Sequence, residues 1–442
     1  MPRLARSLVV CLVLVSVVAC GKTTPPANPP TNPPTNPPTN PPTNPPTNPP
    51  VHEPVKNKEL MITDLSVVED ARATAAGGPW TFGGLITAMA GPTAPGAFVK
   101  QWLLQWDANQ TLNTFTVSRR QTIRSLVIDP WKARDGQAGA PDPAWTPNLA
   151  NAPFRLLAIV NRLDLSRGDG ATVENAGEGR FVFGVTSGGG QPPLFTVIFE
   201  YEQIATERAA LRGWAQQWHA LGTMPFGAAY NTALQQITDR FSGANKAPAK
   251  PNGSPLNQIR TNEIALSAPW ELREFRIAAG QLREVPVAQS PDNSLQNTPR
   301  LAKFINDNEA AILDRNFTIP AQFDGAAFQA GSSLVPFGFF WQAPTVSNPE
   351  ARHVVSFTSC NGCHHRETNT TNFLHVAPRA AGAEAALSGF LTGITVPDPL
   401  GGPTTRTFND LADRAENLKM LAGEPGAIQL NAMRQSRRSR VH

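Results

Sequence analysis

The chain has 442 residues, with hydrophobic residues at 40%, aromatics at 7% and a formal charge of +4. That is enough length and apolar content for two or three domains' worth of packed core. Arg3 and Arg6 lie in a segment expected to be removed, leaving a surplus of two positive charges, which gives no case for a nucleic-acid partner. Four cysteines (Cys11, Cys20, Cys360 and Cys363) are too few for a disulfide-stapled scaffold, since Cys11 falls in the leader and Cys20 at its processing site.

Residues 1–19 read as an export signal. Arg3 and Arg6 give a basic start, and 8–18 is an apolar run too short for a permanent membrane span. The run ends Val17-Val18-Ala19-Cys20-Gly21, which resembles the lipobox of bacterial lipoproteins. The resemblance implies acylation of Cys20, a membrane partner reached through the lipid anchor, and, with Gly21 next, residence at the outer membrane of the cell envelope. Several acyl chains hold a protein firmly, because each buried CH₂ contributes about 0.8 kcal/mol.

A tether follows. Pro-Pro-Thr-Asn repeats fill residues 25–50, with Ala27 as one variant. Such proline density forces polyproline II and forbids helix or sheet ladders. At about 3.1 Å per residue the repeat would reach roughly 80 Å as a stiff spacer. Domain limits are therefore expected at 1–19 for the signal, 20–50 for the acylated tether, 51–345 for a folded body and 346–442 for a terminal segment.

The body reads as α+β, with a mixed or antiparallel β-rich centre flanked by helices. Residues 60–110 carry helical signals, above all Phe98, Trp102 and Trp106 at four-residue spacing after Pro95-Gly96. Three apolar runs, 154–163, 180–185 and 194–201, read as strands. Helices are predicted over 206–221 and 227–241, and further strands over 258–266, 271–277 and 281–287. Alternating Arg260/Glu263 and Glu271/Arg273/Glu274/Arg276 suggest one wet face of an antiparallel sheet. Thr298 and Pro299 open a predicted helix over 298–316. In the terminal segment, 384–392 and 408–421 read as helices, so that segment is expected to be mostly helical.

Catalytic motifs are scarce. Ser187 stands in Val185-Thr186-Ser187-Gly188 and not in a Gly-x-Ser-x-Gly elbow. No H-E-x-x-H, Walker loop or EF-hand loop occurs. Whether the chain is an enzyme is left open.

The chemistry concentrates in Ser359-Cys360-Asn361-Gly362-Cys363-His364-His365. This C-x-x-C-H pattern resembles the haem attachment site of c-type cytochromes. In that family both thiols add to the haem vinyl groups and the histidine ligates the iron. The resemblance implies a single haem c on Cys360 and Cys363, with His364 as iron ligand, a role in electron transfer and a redox partner the sequence does not identify. For the sixth ligand the downstream candidates are His375 and Met420, with His353 upstream. The reading requires a slot beside the motif wide enough for a flat macrocycle. The alternative is a non-catalytic surface-binding or structural lipoprotein. Its Cys360 and Cys363 would form a disulfide, or hold zinc with two of His353, His364 and His375. A redox dithiol is a third possibility, if residues 354–357 form a strand delivering Cys360 to a helix N-terminus.

Overall fold

Seven antiparallel strands run across one sheet in the order they occur in the chain. They are β1 (Met61–Ile62), β2 (Phe154–Arg162), β3 (Glu178–Val185), β4 (Phe195–Glu202), β5 (Leu256–Glu263), β6 (Glu274–Ala278) and β7 (Gln281–Val285). The structure is a computed structural model and describes residues 52–168, 172–186, 190–370 and 374–423. The signal, Cys20, the tether and the arginine-rich end lie outside the described residues.

Period-two alternation gives the sheet two unlike faces. On one, β3 presents Phe181 and Phe183 while β4 presents Phe195, Val197, Phe199 and Tyr201, all buried. Four helices pack there: α1 (Phe82–Met89), α2 (Pro95–Leu103), α3 (Arg208–Ala220) and α4 (Ala228–Ser242). Phe82 of α1 lies 5.4 Å from Phe199 and 5.7 Å from Phe183. Phe241 of α4 sits 5.9 Å from Phe181. The tryptophan stripe is core: Trp102 and Trp106 pack on Phe275 at 5.8 and 4.9 Å.

The opposite face is charged, and it is buried. Paired neighbours across β2 to β6 present Arg162, Glu178, Arg180, Glu200, Arg260 and Glu274, none more than 9% exposed. The expected wet face is therefore corrected. Glu263, Glu271 and Arg273 are buried as well, and of that alternating set only Arg276 keeps an exposed side chain, at 51%. Ion pairing makes this burial tolerable: Arg260 reaches Glu274 at 3.0 Å and Glu200 at 3.6 Å, and Arg180 reaches Glu178 at 2.7 Å. The sequence could not tell a solvated charged face from one that a distant segment covers.

That cover is the C-terminal part of the chain. It contains α5 (Pro349–Phe357), the single turn α6 (Cys360–Cys363), a short turn at Gly389–Thr392, a hairpin of Ile394–Pro397 with Thr405–Phe408, and α7 (Asp410–Ala422). It is mixed rather than mostly helical. Residues 354–357 are helical, not a strand. The helix expected over 298–316 breaks at Asn308 into Pro299–Asp307 and Glu309–Leu313. The strand expected over 271–277 splits at Arg273, because Trp270–Leu272 leaves the main sheet to pair with Ser333–Val335. The described residues between 52 and 423 form one compact unit.

Candidate haem-attachment site

The C-x-x-C-H turn is positioned by its two middle residues. α5 begins at Pro349, capped by Asn348, whose side-chain oxygen accepts from the Glu350 amide at 2.9 Å. The chain breaks helix at Thr358 and re-enters one turn at Cys360. The Cys363 amide donates to Ser359 O at 2.9 Å and the His364 amide to Cys360 O at 3.2 Å, so both thiols and the imidazole belong to one turn. Asn361 locks that turn to the body. Its amide donates to Pro291 O at 2.9 Å and to Asn293 at 3.0 Å, and its oxygen accepts from the Trp341 indole at 3.0 Å. Gly362 is required sterically, since a Cβ there would lie 2.0 Å from Ser356 O.

Both thiols are free and fully buried. Burial pushes the Cys360 thiol up to about 11, against the pull of Arg260. Burial also raises Cys363, with Cys360 adding to the effect. Burial therefore disfavours both thiolates, and the strand that the redox-dithiol reading required at 354–357 is helix.

His364 is 3% exposed and stacks on Trp270, with centroids 4.1 Å apart and planes inclined by 19°. His375 meets it edge-on at 5.0 Å, and its Nδ1 pairs with Ser388 Oγ at 3.1 Å. Both imidazoles line one cavity against the charged face of the sheet. Its other walls include the aliphatic side chains of Val160, Val182 and Ile198 and the guanidinium groups of Arg162, Arg180, Arg260 and Arg414. Glu200 is the one carboxylate in that lining. Burial, with repulsion from Arg162, pushes Arg414 down to about 10. A polar cleft of about 400 Å³ adjoins the cavity, and Arg180 and Arg260 line both.

The other expected ligands lie elsewhere. His353 is held by Glu367, which also takes Arg352 at 2.7 Å, and those bonds keep the Glu367 carboxyl below its usual range despite burial. Met420 is half-buried on α7 and does not line the cavity, whereas Arg414 of the same helix does. Among the described residues, Cys360, Cys363 and the three histidines form no convergent metal-ligand group. The group whose ligand atoms do converge is His52, Glu59 and His219.

The residue types suit a haem, with two thiols and an imidazole on one turn, a second imidazole, aliphatic walls and arginines, but neither thiol lines the cavity. The room does not fit in this closed arrangement. The cavity measures about 50 Å³, space for a water or two. Sequence reasoning missed the four arginines. The signal was the strand alternation itself, which put Arg162, Arg180 and Arg260 on one face.

No family model matches the chain. No curated protein matches it, and no solved structure does either.

Proposed function

We propose that this is a lipid-anchored envelope protein that carries one covalently attached haem on Cys360 and Cys363, with His364 as its proximal ligand and a role in electron transfer. The observation that carries the reading is the single turn that sets both thiols and His364 together, with His364 and His375 facing a cavity rimmed by four arginines. A bound haem would supply one-electron exchange. The chain's own part would be to hold the iron through His364, to exclude water with Val160, Val182 and Ile198, and to balance propionate charge with the arginines. His375 would be the other candidate to hold the iron.

Both thiols are 0% exposed and the cavity holds about 50 Å³, so a protein carrying haem there would have to hold residues 374–391 away from the sheet. The anchor belongs to the same reading, through acylation of Cys20 and display on the proline-rich tether. Among the described residues no helix is long and apolar enough to cross a membrane.

The test is the exported, purified protein. A Soret band is expected, together with a peptide spanning Cys360 to Arg366 that carries the mass of haem, both lost in Cys360→Ser/Cys363→Ser. Incorporation of labelled palmitate should be lost in Cys20→Ala. A colourless protein whose motif peptide has no added mass rejects the haem. The tight closure of the cavity favours one second reading, a structural surface lipoprotein in which Cys360 and Cys363 are core residues. It predicts that unmodified peptide.

A further inference from the structure

We propose that His52, Glu59 and His219 form a divalent transition-metal site, with Zn²⁺ the best match, which fastens the start of the folded body. The site is separate from the cysteine motif and does not depend on the haem reading. His219 comes from α3, Glu59 from the short helix Lys56–Glu59, and His52 lies two residues past the last proline of the tether. The Glu59 carboxylate is fully buried. One oxygen lies 3.1 Å from His52 Nε2 and the other 2.7 Å from His219 Nδ1. All three ligand atoms fall within 4.8 Å of one another. A tetrahedral ion with bonds of about 2.0–2.2 Å needs ligand atoms roughly 3.3–3.5 Å apart, a spacing these atoms reach once the His52 ring turns.

Three observations favour an ion here. First, a buried carboxylate requires a compensating cation. Among the described residues the carboxylate of Glu59 faces only the two imidazoles and the Val55 amide. A divalent ion would supply the charge and take both imidazoles as neutral ligands. Second, Gly222 lets the backbone pass close by the ligand atoms, since a Cβ there would lie 1.9 Å from Glu59 Oε1 and 2.4 Å from His52 Nε2. Third, the carboxylate is oriented from behind by the Val55 amide, which donates to Oε1 at 2.7 Å.

One feature must change on loading. The two rings are stacked at 3.8 Å with planes inclined by 7°, so their in-plane lone pairs run side by side and do not converge. His219 and Glu59 are fixed by burial, but the His52 side chain is 28% exposed and can swing about its χ angles. That exposed side also leaves the fourth position to water. Two histidines, one carboxylate and a water form a set that zinc accepts.

The experiment compares the full-length protein with His52→Ala after EDTA treatment and dialysis against zinc chloride. Zinc held elsewhere, including at the cysteines, is common to both and cancels. One additional zinc per chain in the parent is expected, with affinity at this site falling at least about 100-fold in the variant. At zinc near a hundred times Kd the parent's melting temperature should rise about 3–5 °C, and the variant's should not. Gly222→Ala should behave like His52→Ala. Equal zinc counts and equal thermal shifts in parent and His52→Ala, or no zinc in either, overturn the proposal.

Discussion

The His364 imidazole lies flat against the Trp270 indole, 4.1 Å between centroids. Trp270 belongs to the short strand that leaves the main sheet, so a break in one β element supplies the platform for the motif histidine. Trp270→Ala should cost about 3–5 kcal/mol, as large aromatic truncations in cores do. Trp270→Phe should cost clearly less. Urea denaturation of the two variants measures both, and equal midpoints for wild type and Trp270→Ala would refute the packing role.

Asn361 and Gly362 make a second prediction. Asn361→Ala strands the Trp341 indole N–H and the Pro291 carbonyl in the interior. The expected cost is about 2–4 kcal/mol. Gly362→Ala drives a methyl into Ser356 O and should destabilise by about 2 kcal/mol or more. Chemical denaturation reads both. A neutral Gly362→Ala would mean the turn is not as tight as described.

The buried Glu367 predicts a third effect. It pairs with Arg352 and His353, and Glu367→Ala takes the carboxylate from His353 and leaves Arg352 only Asp398 at 3.6 Å and the Trp341 carbonyl. A loss of about 3–5 kcal/mol is expected. Its folded pKa lies below the ordinary value, so its contribution is present above the unfolded pKa near 4.5 and is lost as pH falls through the folded value. Acid titration of stability in wild type and Glu367→Gln should show that loss only in the wild type.

Glu284 works in the other direction. It shares Arg273 with Glu263 and Glu271, so three carboxylates face one guanidinium and, for two of them, Arg120. Burial pushes Glu284 up to about 8, and the Arg273 charge only partly offsets it. The folded state therefore holds a proton that the unfolded chain releases near 4.5. This contribution is fully present below pH 4.5 and is lost as pH rises to about 8, with a slope approaching about 1.4 kcal/mol per pH unit between those limits. Glu284→Gln should flatten the pH dependence of the urea midpoint over that window.

If the haem reading holds, the cavity lining ranks the axial candidates. His375→Ala should alter the position or shape of the Soret band, and Met420→Leu should leave it unchanged, because Met420 does not reach the cavity. Absorption spectra of the oxidised and reduced proteins check this. An unchanged spectrum in His375→Ala together with a changed one in Met420→Leu would reverse the assignment.

The sequence alone located most of the core and the motif. The apolar runs became β2, β3 and β4, the tryptophan stripe became α2 and the turn after it, and the capped start at Thr298-Pro299 stands as read. These are local properties, set by side-chain period, capping and chain stiffness, and they survive in any tertiary setting. Tertiary structure decided everything that depends on which distant segments meet. It buried the charged face of the sheet under residues far along the chain, turned 354–357 from strand to helix, committed His353 to Glu367, and brought His364, His375 and four arginines to one small cavity. It also joined His52 to His219 through Glu59. Charge, unlike hydrophobic period, carries no local sign of whether water or another side chain will satisfy it, and so its partners emerge only when the chain has folded.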